Sequence, residues 1–355
     1  MTRRSVLTRR NILVTGATGL AMPFVRSGPA RAAGQVVVRN PGGVYSDTQK
    51  KFVYDPFTKE TGIEVVIVAS TMAKMLAMVK SGSTELDVAD AGLDGLITLN
   101  KAGALAPIDY ASWKHTNPDD IAKEYRTATT IGLCLYATVL GYNKETFAGD
   151  KQPKNWVEFW DAKAYPGARM LADMASGTPN LEFALIADGV PMDKIFPIDI
   201  DRAFKSMSRI KPAIKKFWDT GALSAQMMAD KDVVLGSIWN GRLQAIADKG
   251  APLAIEWNQH MLQIQAYGLF KDGPNTKAAQ LFLDYAMSPK PNSGLGLEIN
   301  YGPINRKSFD LLPPATIAKL PGSPENLKRS FLQDVYWWDE HRAKVNSIWS
   351  TWILT

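Results

Sequence analysis

Glu64-Val65-Val66-Ile67-Val68, with Ala69-Ser70-Thr71 behind it and the stretch Met72 to Lys80 beyond, decides the fold. Four consecutive aliphatic residues, all branched at Cβ, suit a strand buried on both faces, because branching restricts χ1 in a helix and packs well on a pleated surface. The segment after Thr71 changes to helical spacing, and a hydroxyl residue directly before it suits a helix start. The same alternation surrounds it. Val36-Val37-Val38 reads as an earlier strand that turns through Asn40-Pro41-Gly42-Gly43, and an amphipathic segment from Lys51 to Thr61 leads into the strand at Glu64. Leu86-Asp87-Val88-Ala89-Asp90 reads as the next short strand, before a helix from Leu93 through Lys101. A β-α-β-α order with continuous apolar strands predicts an α/β fold, its mixed or largely parallel sheet covered on both sides, with ligands at strand ends and helix starts.

Farther along, the apolar run Thr130 to Gly141 predicts a long strand leaving this first lobe. A second set of elements follows: a helix containing Phe159 and Trp160, a strand at Arg169-Met170-Leu171-Ala172, helices near Leu181 to Asp188 and Ile200 to Trp218, and a strand at Val233 to Ile238. A strand at Gln263 to Phe270, a turn at Asp272-Gly273-Pro274-Asn275 and a helix from Thr276 toward Met287 suggest that the chain returns to the first lobe. The expected division is a first lobe of residues 34–140 plus 268–320, a second lobe of 141–267, and a helical C-terminal segment of 321–355. Leu327 to Trp352 has helical periodicity throughout. Two crossings between the lobes would make a hinge.

Residues 1–33 read as an export signal. Arg9 and Arg10 precede an apolar stretch from Ile12 to Met22, and Ala30-Arg31-Ala32 supplies small residues for cleavage. Thr8-Arg9-Arg10-Asn11-Ile12-Leu13 resembles a twin-arginine signal, which implies a periplasmic destination. The charge balance agrees with removal of this segment. Six of the 41 basic residues (Arg3, Arg4, Arg9, Arg10, Arg26 and Arg31) and no acid lie in residues 1–32, leaving 35 bases against 35 acids. With no surviving excess of positive charge, nothing points to a nucleic-acid partner. An apolar content of 46% is enough for substantial cores. Cys134 is the only cysteine, which excludes an intrachain disulfide, and its apolar setting predicts a buried structural thiol.

Six runs then fall in a telling order: Phe57-Thr58-Lys59-Glu60-Thr61-Gly62-Ile63, Ser70-Thr71-Met72, Leu140-Gly141-Tyr142-Asn143, Trp156-Val157-Glu158-Phe159-Trp160, Gly236-Ser237-Ile238-Trp239-Asn240-Gly241 and Tyr301-Gly302-Pro303-Ile304-Asn305. Together the chain resembles the extracellular solute-binding proteins of ATP-binding-cassette importers, especially the spermidine/putrescine-binding branch. The resemblance implies a two-lobed periplasmic binding protein fold with a hinge and an interlobe cleft. It also implies capture of a small amine-containing or zwitterionic solute and delivery to a membrane permease. No cofactor or metal is expected, and a monomer is the expected state.

Ten residues are candidates for the cleft. Trp239 can form an aromatic wall, Asn240 can orient a polar group, and Gly241 can let backbone approach closely. In the polyamine-binding relatives the tryptophan of this motif lines the cleft; core packing is the alternative. Trp257 resembles the tryptophan of the next family strand, or fills a core. Ser70 and Thr71 can meet a polar solute or cap the following helix. Asp94 can pair with an ammonium group or cap a helix. Glu182 approximately matches a family acid that contacts amines, with a solvated helix face as the alternative. Tyr301 opens a loop whose family counterpart reaches the cleft, where its ring can cover an alkyl amine. Gln265 stands where polyamine-binding relatives place an aspartate, and a neutral amide cannot supply that charge. Arg242, if it faces the cleft, suits a carboxylate or phosphonate, with a surface arginine as the alternative. One possible acidic side and one possible arginine favour a small amine-bearing solute, an amino-acid-like or other zwitterionic amine among them, over a long polyamine.

Two other classes compete. A secreted enzyme would need chemistry that three scattered histidines (His115, His260, His341) and the lack of HExxH, G-x-S-x-G or a phosphate loop do not provide. A carbohydrate-interaction protein would need Trp337, Trp338, Trp349 and Trp352 exposed on one face, although their spacing favours helix packing.

Overall fold

A computed structural model describes residues 34–355, so the expected export signal of residues 1–33 lies outside the described residues. The described residues form ten strands: β1 (Gln35–Arg39), β2 (Glu64–Val68), β3 (Val88–Gly92), β4 (Thr130–Asn143), β5 (Arg169–Ala172), β6 (Ile214–Trp218), β7 (Leu235–Trp239), β8 (Leu253–Leu269), β9 (Gly302–Pro303) and β10 (Ser330–Leu332). Their hydrogen bonds give one path, β2-β1-β3-β8-β4-β7-β5-β6, with β10 added to β8 and β9 to β4. β1 pairs in parallel with β2 and β3, as the β-α-β-α reading predicts, and β5 pairs in parallel with β6 and β7. The two parallel sets meet on the antiparallel pair β4 and β8.

This pair sets the geometry. Thr130 to Tyr136 of β4 face Gly268 to Gln263 of β8, and Leu140 to Asn143 face Glu256 to Leu253. Between them the ladder breaks: Thr138 pairs with Met261, but Leu140 pairs with Glu256. The surplus residues of β8 bulge out, which bends and twists a strand. Gln259 turns the bulge with a positive φ of 62°. Trp257 belongs to this bulge, where its ring meets His260 edge-on at 5.1 Å and its carbonyl lies 2.7 Å from His260 Nδ1. It does not lead into a cleft, so the expected role of Trp257 is corrected to one of bulge packing. The strand expected at Gln263 to Phe270 thus starts ten residues earlier, at Leu253.

One core gathers on β1, β2 and β3 with Phe57, Phe282, Leu295 and the adjoining ends of β4 and β8. Two more lie around the other strands, one with Trp156, Phe183, Trp338 and Trp349, the other with Met170, Trp218 and Ile238. Cys134 is fully buried in the first. The C-terminal segment is not helical throughout. Asp334 accepts from the backbone N–H groups of Tyr336 and Trp337, so the helix starts at Val335 and runs to Trp352, while Ser330–Leu332 joins β8 as β10. Trp337, Trp338 and Trp349 are buried against the second core, which removes the continuous exposed aromatic face that a carbohydrate-interaction role requires.

Glu182 also belongs to this core. It has no exposed surface, and Trp338 Nε1 donates to its Oε1 at 2.6 Å, while Oε2 has no protein partner. The expectation of a solute-facing acid is corrected accordingly: the first turn of the helix Leu181–Ala187 points Glu182 inward. Burial pushes its pKa up to about 7, against hydrogen bonds that lower it. The folded protein therefore binds a proton at Glu182 that the unfolded chain has already released, between the ordinary glutamate value of 4.5 and about 7. Across that window rising pH weakens the contribution of Glu182 to stability. Relative to wild type, Glu182→Gln should gain stability as pH rises from about 5 to 7, by at most about 1.4 kcal/mol per pH unit. Urea unfolding of both proteins at several pH values checks this, and a constant difference across the window would contradict it.

Candidate functional site

A cavity of about 330 Å³ opens where the first core meets the other two. Part of its lining comes from strand ends and helix starts, as an α/β sheet favours, and part from within β4 and β8. From the first side come Arg39, Tyr45, Asp94, Tyr136, Gln265 and Tyr301; from the second come Thr178, Trp218, Trp239 and Arg242.

The aromatic wall is continuous. Trp218 and Trp239 meet edge-on at 5.3 Å between ring centroids, Trp239 and Tyr136 at 6.1 Å, and Tyr136 and Tyr301 lie tilted at 5.7 Å. Each contact is an edge-to-face or tilted arrangement favoured by ring quadrupoles. Trp218 is held by its Nε1, which donates to the carbonyl of Ser237 at 2.8 Å. Trp239 ends β7 opposite Thr138 of β4, so the register itself delivers both residues to the cavity. Two glycines admit these rings. A Cβ at Gly221 would lie 2.7 Å from the Trp239 ring, and one at Gly241 would lie 2.5 Å from the Tyr301 ring and 2.7 Å from the carbonyl of Ile299. Gly241 thus permits close approach, as its place after Trp239-Asn240 suggested.

Behind the wall, Asn240 is fully buried and bonded at both ends. Its Oδ1 accepts from the backbone N–H of Ala137 at 2.9 Å, and its Nδ2 donates to the carbonyl of Asn300 at 2.9 Å. Asn300 ends the helix Pro289–Ile299 in the left-handed conformation, with φ 56°, and so turns Tyr301 toward the cavity. The expectation that Asn240 contacts solute is corrected: both ends of its amide are taken up by backbone, and it positions Tyr301 instead.

The polar lining has a definite order. Thr138 Oγ1 donates to Gln263 Oε1 at 2.8 Å, Gln263 Nε2 donates to Gln333 Oε1 at 3.3 Å, and Gln333 Nε2 donates to Thr178 Oγ1 at 3.0 Å. On the other side Gln265 Nε2 donates to Asp90 Oδ1 at 2.6 Å, and the Tyr45 hydroxyl donates to the same carboxylate at 2.9 Å. Asp90 is fully buried, and desolvation pushes its pKa up to about 7, opposed by the bonds from Gln265 and Tyr45 and by the charge of Arg39. Gln265 therefore spends its donor on a buried acid and leaves its carbonyl oxygen as an acceptor.

Arg39 ends β1 and is fixed by two carbonyls: its Nε donates to Ser70 O at 3.0 Å and its Nη1 to Asp90 O at 2.5 Å. Arg242, in the first turn of the helix Asn240–Ala247, lies beside Trp239 and close enough to Tyr301 to oppose the burial that raises its pKa. Neither arginine forms an ion pair among the described residues, whereas Asp94, the one carboxylate among the described lining residues, receives Arg342 Nη2 at 2.8 Å.

Of the ten predicted residues, the structure brings Asp94, Trp239, Arg242, Gln265 and Tyr301 to the cavity. Ser70 and Thr71 stay off it. Thr71 Oγ1 accepts from the backbone N–H of Lys74 and caps the helix Met72–Ser81, and Ser70 serves through its carbonyl on Arg39. Among residues not predicted, Arg39 and Trp218 end strands β1 and β6, a position that the strand-end rule could have flagged. Tyr136, mid-strand, carried no such signal.

Comparisons with known proteins give the family. Residues 53–325 match the family described as bacterial extracellular solute-binding protein. The chain belongs to that family. An ABC transporter substrate-binding protein from Bradyrhizobium japonicum superposes with a TM-score of 0.84 at 33% identity, covering 90% of this chain and 99% of its own. The gamma-aminobutyric acid-binding protein of Pseudomonas aeruginosa is 28% identical over 318 residues, 88% of each chain. Spermidine/putrescine-binding periplasmic protein 1 of Haemophilus influenzae is 25% identical over 295 residues, 79% of each. This solute-binding protein is thus the capture component of an ABC importer, with the two-lobed α/β fold of its relatives. No helix among the described residues is long and apolar enough to cross a membrane.

For the solute-binding protein, Gly241→Ala should displace Tyr301 and its loop, because the added methyl meets both a ring and a backbone carbonyl. We expect a loss of about 1–3 kcal/mol in stability and a weaker response to solute, read by thermal unfolding with and without ligand. A variant with wild-type melting and binding would refute the packing role of Gly241.

Proposed function

We propose that the cavity captures a compact solute carrying both a carboxylate and an ammonium group, such as a short ω-amino acid, and presents it unchanged to a membrane permease. One observation carries this reading: Arg39 and Arg242 reach the cavity with no carboxylate partner among the described residues, while its one lining acid, Asp94, is already paired. Two guanidinium forks favour a carboxylate, which can accept parallel hydrogen bonds from each. Tyr136, Trp239 and Tyr301 offer faces to a short alkyl chain and its ammonium. An extended dication gains nothing from those arginines. The similarity to the gamma-aminobutyric acid-binding protein supports the same class, and 330 Å³ accommodates a few-carbon zwitterion.

The protein acts in the periplasm as a monomer, in this reading, and the export signal, the neutral mature charge and the periplasmic relatives support it. It does not transform its solute and does not engage nucleic acid. The halves divide near residues 140 and 268 and pivot on β4 and β8 at the register break after Thr138. Solute drives closure to the extent that it contacts one state better than the other.

Isothermal titration of the mature protein against γ-aminobutyrate, short α-amino acids, putrescine and spermidine tests the proposal. We expect one-to-one binding of a zwitterion in preference to either polyamine, and Arg242→Gln should weaken it roughly 10- to 100-fold, the worth of a charge-assisted hydrogen bond. Tighter binding of spermidine, or wild-type affinity in a folded Arg242→Gln variant, would overturn it.

A further inference from the structure

Arg342 does not line the cavity, yet it touches Asp94, the one carboxylate among the described lining residues. It stands on the helix Val335–Trp352, which is anchored in the second core by Trp337, Trp338, Val345 and Trp349. Its Nη1 donates to the carbonyl of Gly177 on the same side, which aims the guanidinium, and its Nη2 donates to Asp94 Oδ2 at 2.8 Å on the facing helix Leu93–Lys101. A second rung lies one turn away. Asp339 pairs with Lys101 and accepts from Thr98 Oγ1 at 3.4 Å. Asp94, Thr98 and Lys101 follow helical spacing on one face, as do Asp339 and Arg342, so the two helices are zipped by side chains of fixed register. The other oxygen of Asp94 is turned back against its own strand end, where a Cβ at Gly92 would lie only 2.6 Å from Oδ1.

We propose that Arg342 is a specificity-determining residue that acts from outside the cavity: by holding Asp94 it removes the anionic anchor that a second ammonium group would need. This rests on the amine-solute reading above and deepens it. Left alone, Asp94 would face the cavity as an unpaired carboxylate and favour dications; paired with Arg342, it leaves Arg39 and Arg242 to dominate. Both partners are about one third exposed, with side-chain values of 32% and 34%, so solvent screens the effect and the expected change is moderate.

The test compares two ligands of equal carbon number, γ-aminobutyrate and putrescine, which differ at one end, a carboxylate against an aminomethyl group that carries the second ammonium. Calorimetric affinities for both are measured in wild type, Arg342→Gln, Asp94→Asn and Lys101→Gln. Arg342→Gln should shift the affinity ratio toward putrescine by about tenfold, on the order of one charge contact near the surface. Asp94→Asn leaves the guanidinium unpaired and should shift the ratio the other way, a readout that survives even where Arg342→Gln fails to fold. Lys101→Gln breaks the other rung and should leave the ratio within about twofold of wild type, whereas a merely structural zipper would make it behave like Arg342→Gln. Ratios unmoved in Arg342→Gln and Asp94→Asn, with wild type binding γ-aminobutyrate, would overturn the role of Arg342 alone. Wild-type protein that binds neither ligand would overturn the amine-solute reading and this inference with it.

Discussion

The antiparallel ladder between β4 and β8 is the constraint on which the rest of the molecule depends. Strands of 14 and 17 residues are long for a globular protein; β8 pairs at one end with β3 of the first core, and β4 pairs toward the opposite end with β7 of the second side. Parallel strands need helical crossovers to return, so the two parallel sets, β1 to β3 and β5 to β7, can each build a covered layer independently. They share only this pair in the sheet path. A break in its register therefore falls where the chain can bend with least loss of backbone bonding, and the bulge of Trp257 to His260 takes up the surplus.

The same break explains the cavity's position. Thr138, Met261 and Gln263 stand together on one side of it and line the cavity, while Gln265, paired with Cys134 at the edge of the second irregularity between Gly132 and Cys134, reaches Asp90. A fully buried carboxylate costs free energy unless it is bonded or neutral. Asp90 has donors from Gln265 and Tyr45 and the charge of Arg39 nearby, so the network that satisfies the acid also orients three cavity residues. Electrostatic pre-organisation of that kind lowers the ordering cost that solute binding must meet. Arg39, clamped between Ser70 O and Asp90 O, shows it most directly.

Much of this was legible in the sequence, for identifiable reasons. The β-branched runs at Val36 and Val65 gave the parallel first sheet, since local pattern and tertiary setting agree there. Trp239, Arg242 and Tyr301 were legible because each lies at or just after an element boundary, where cavity residues concentrate. Glu182 and Asn240 were not. A carboxylate in a first helical turn looks solvent-facing in sequence, and only the partner Trp338, 156 residues away, shows that it is drawn inward. Asn240 likewise bonds Ala137 and Asn300, contacts that no local pattern encodes. The break before Val335 was missed because apolar residues continue through β10 with a spacing that strand and helix share over so short a run.

Asn240 shows how a residue outside the lining still shapes it. Its two bonds join the middle of β4 to the loop that carries Tyr301, and both partners are backbone groups. An apolar replacement would leave a buried N–H and a buried carbonyl unsatisfied, at roughly 1–3 kcal/mol for each. The cheaper relaxation is movement of the Asn300–Tyr301 loop toward solvent, which would withdraw the Tyr301 ring from Tyr136 and open one end of the aromatic wall. The shape of the cavity is thus fixed less by the rings that face solute than by an amide behind them, and Trp239-Asn240-Gly241 works as a unit: a wall, a bolt and a space for the neighbouring ring.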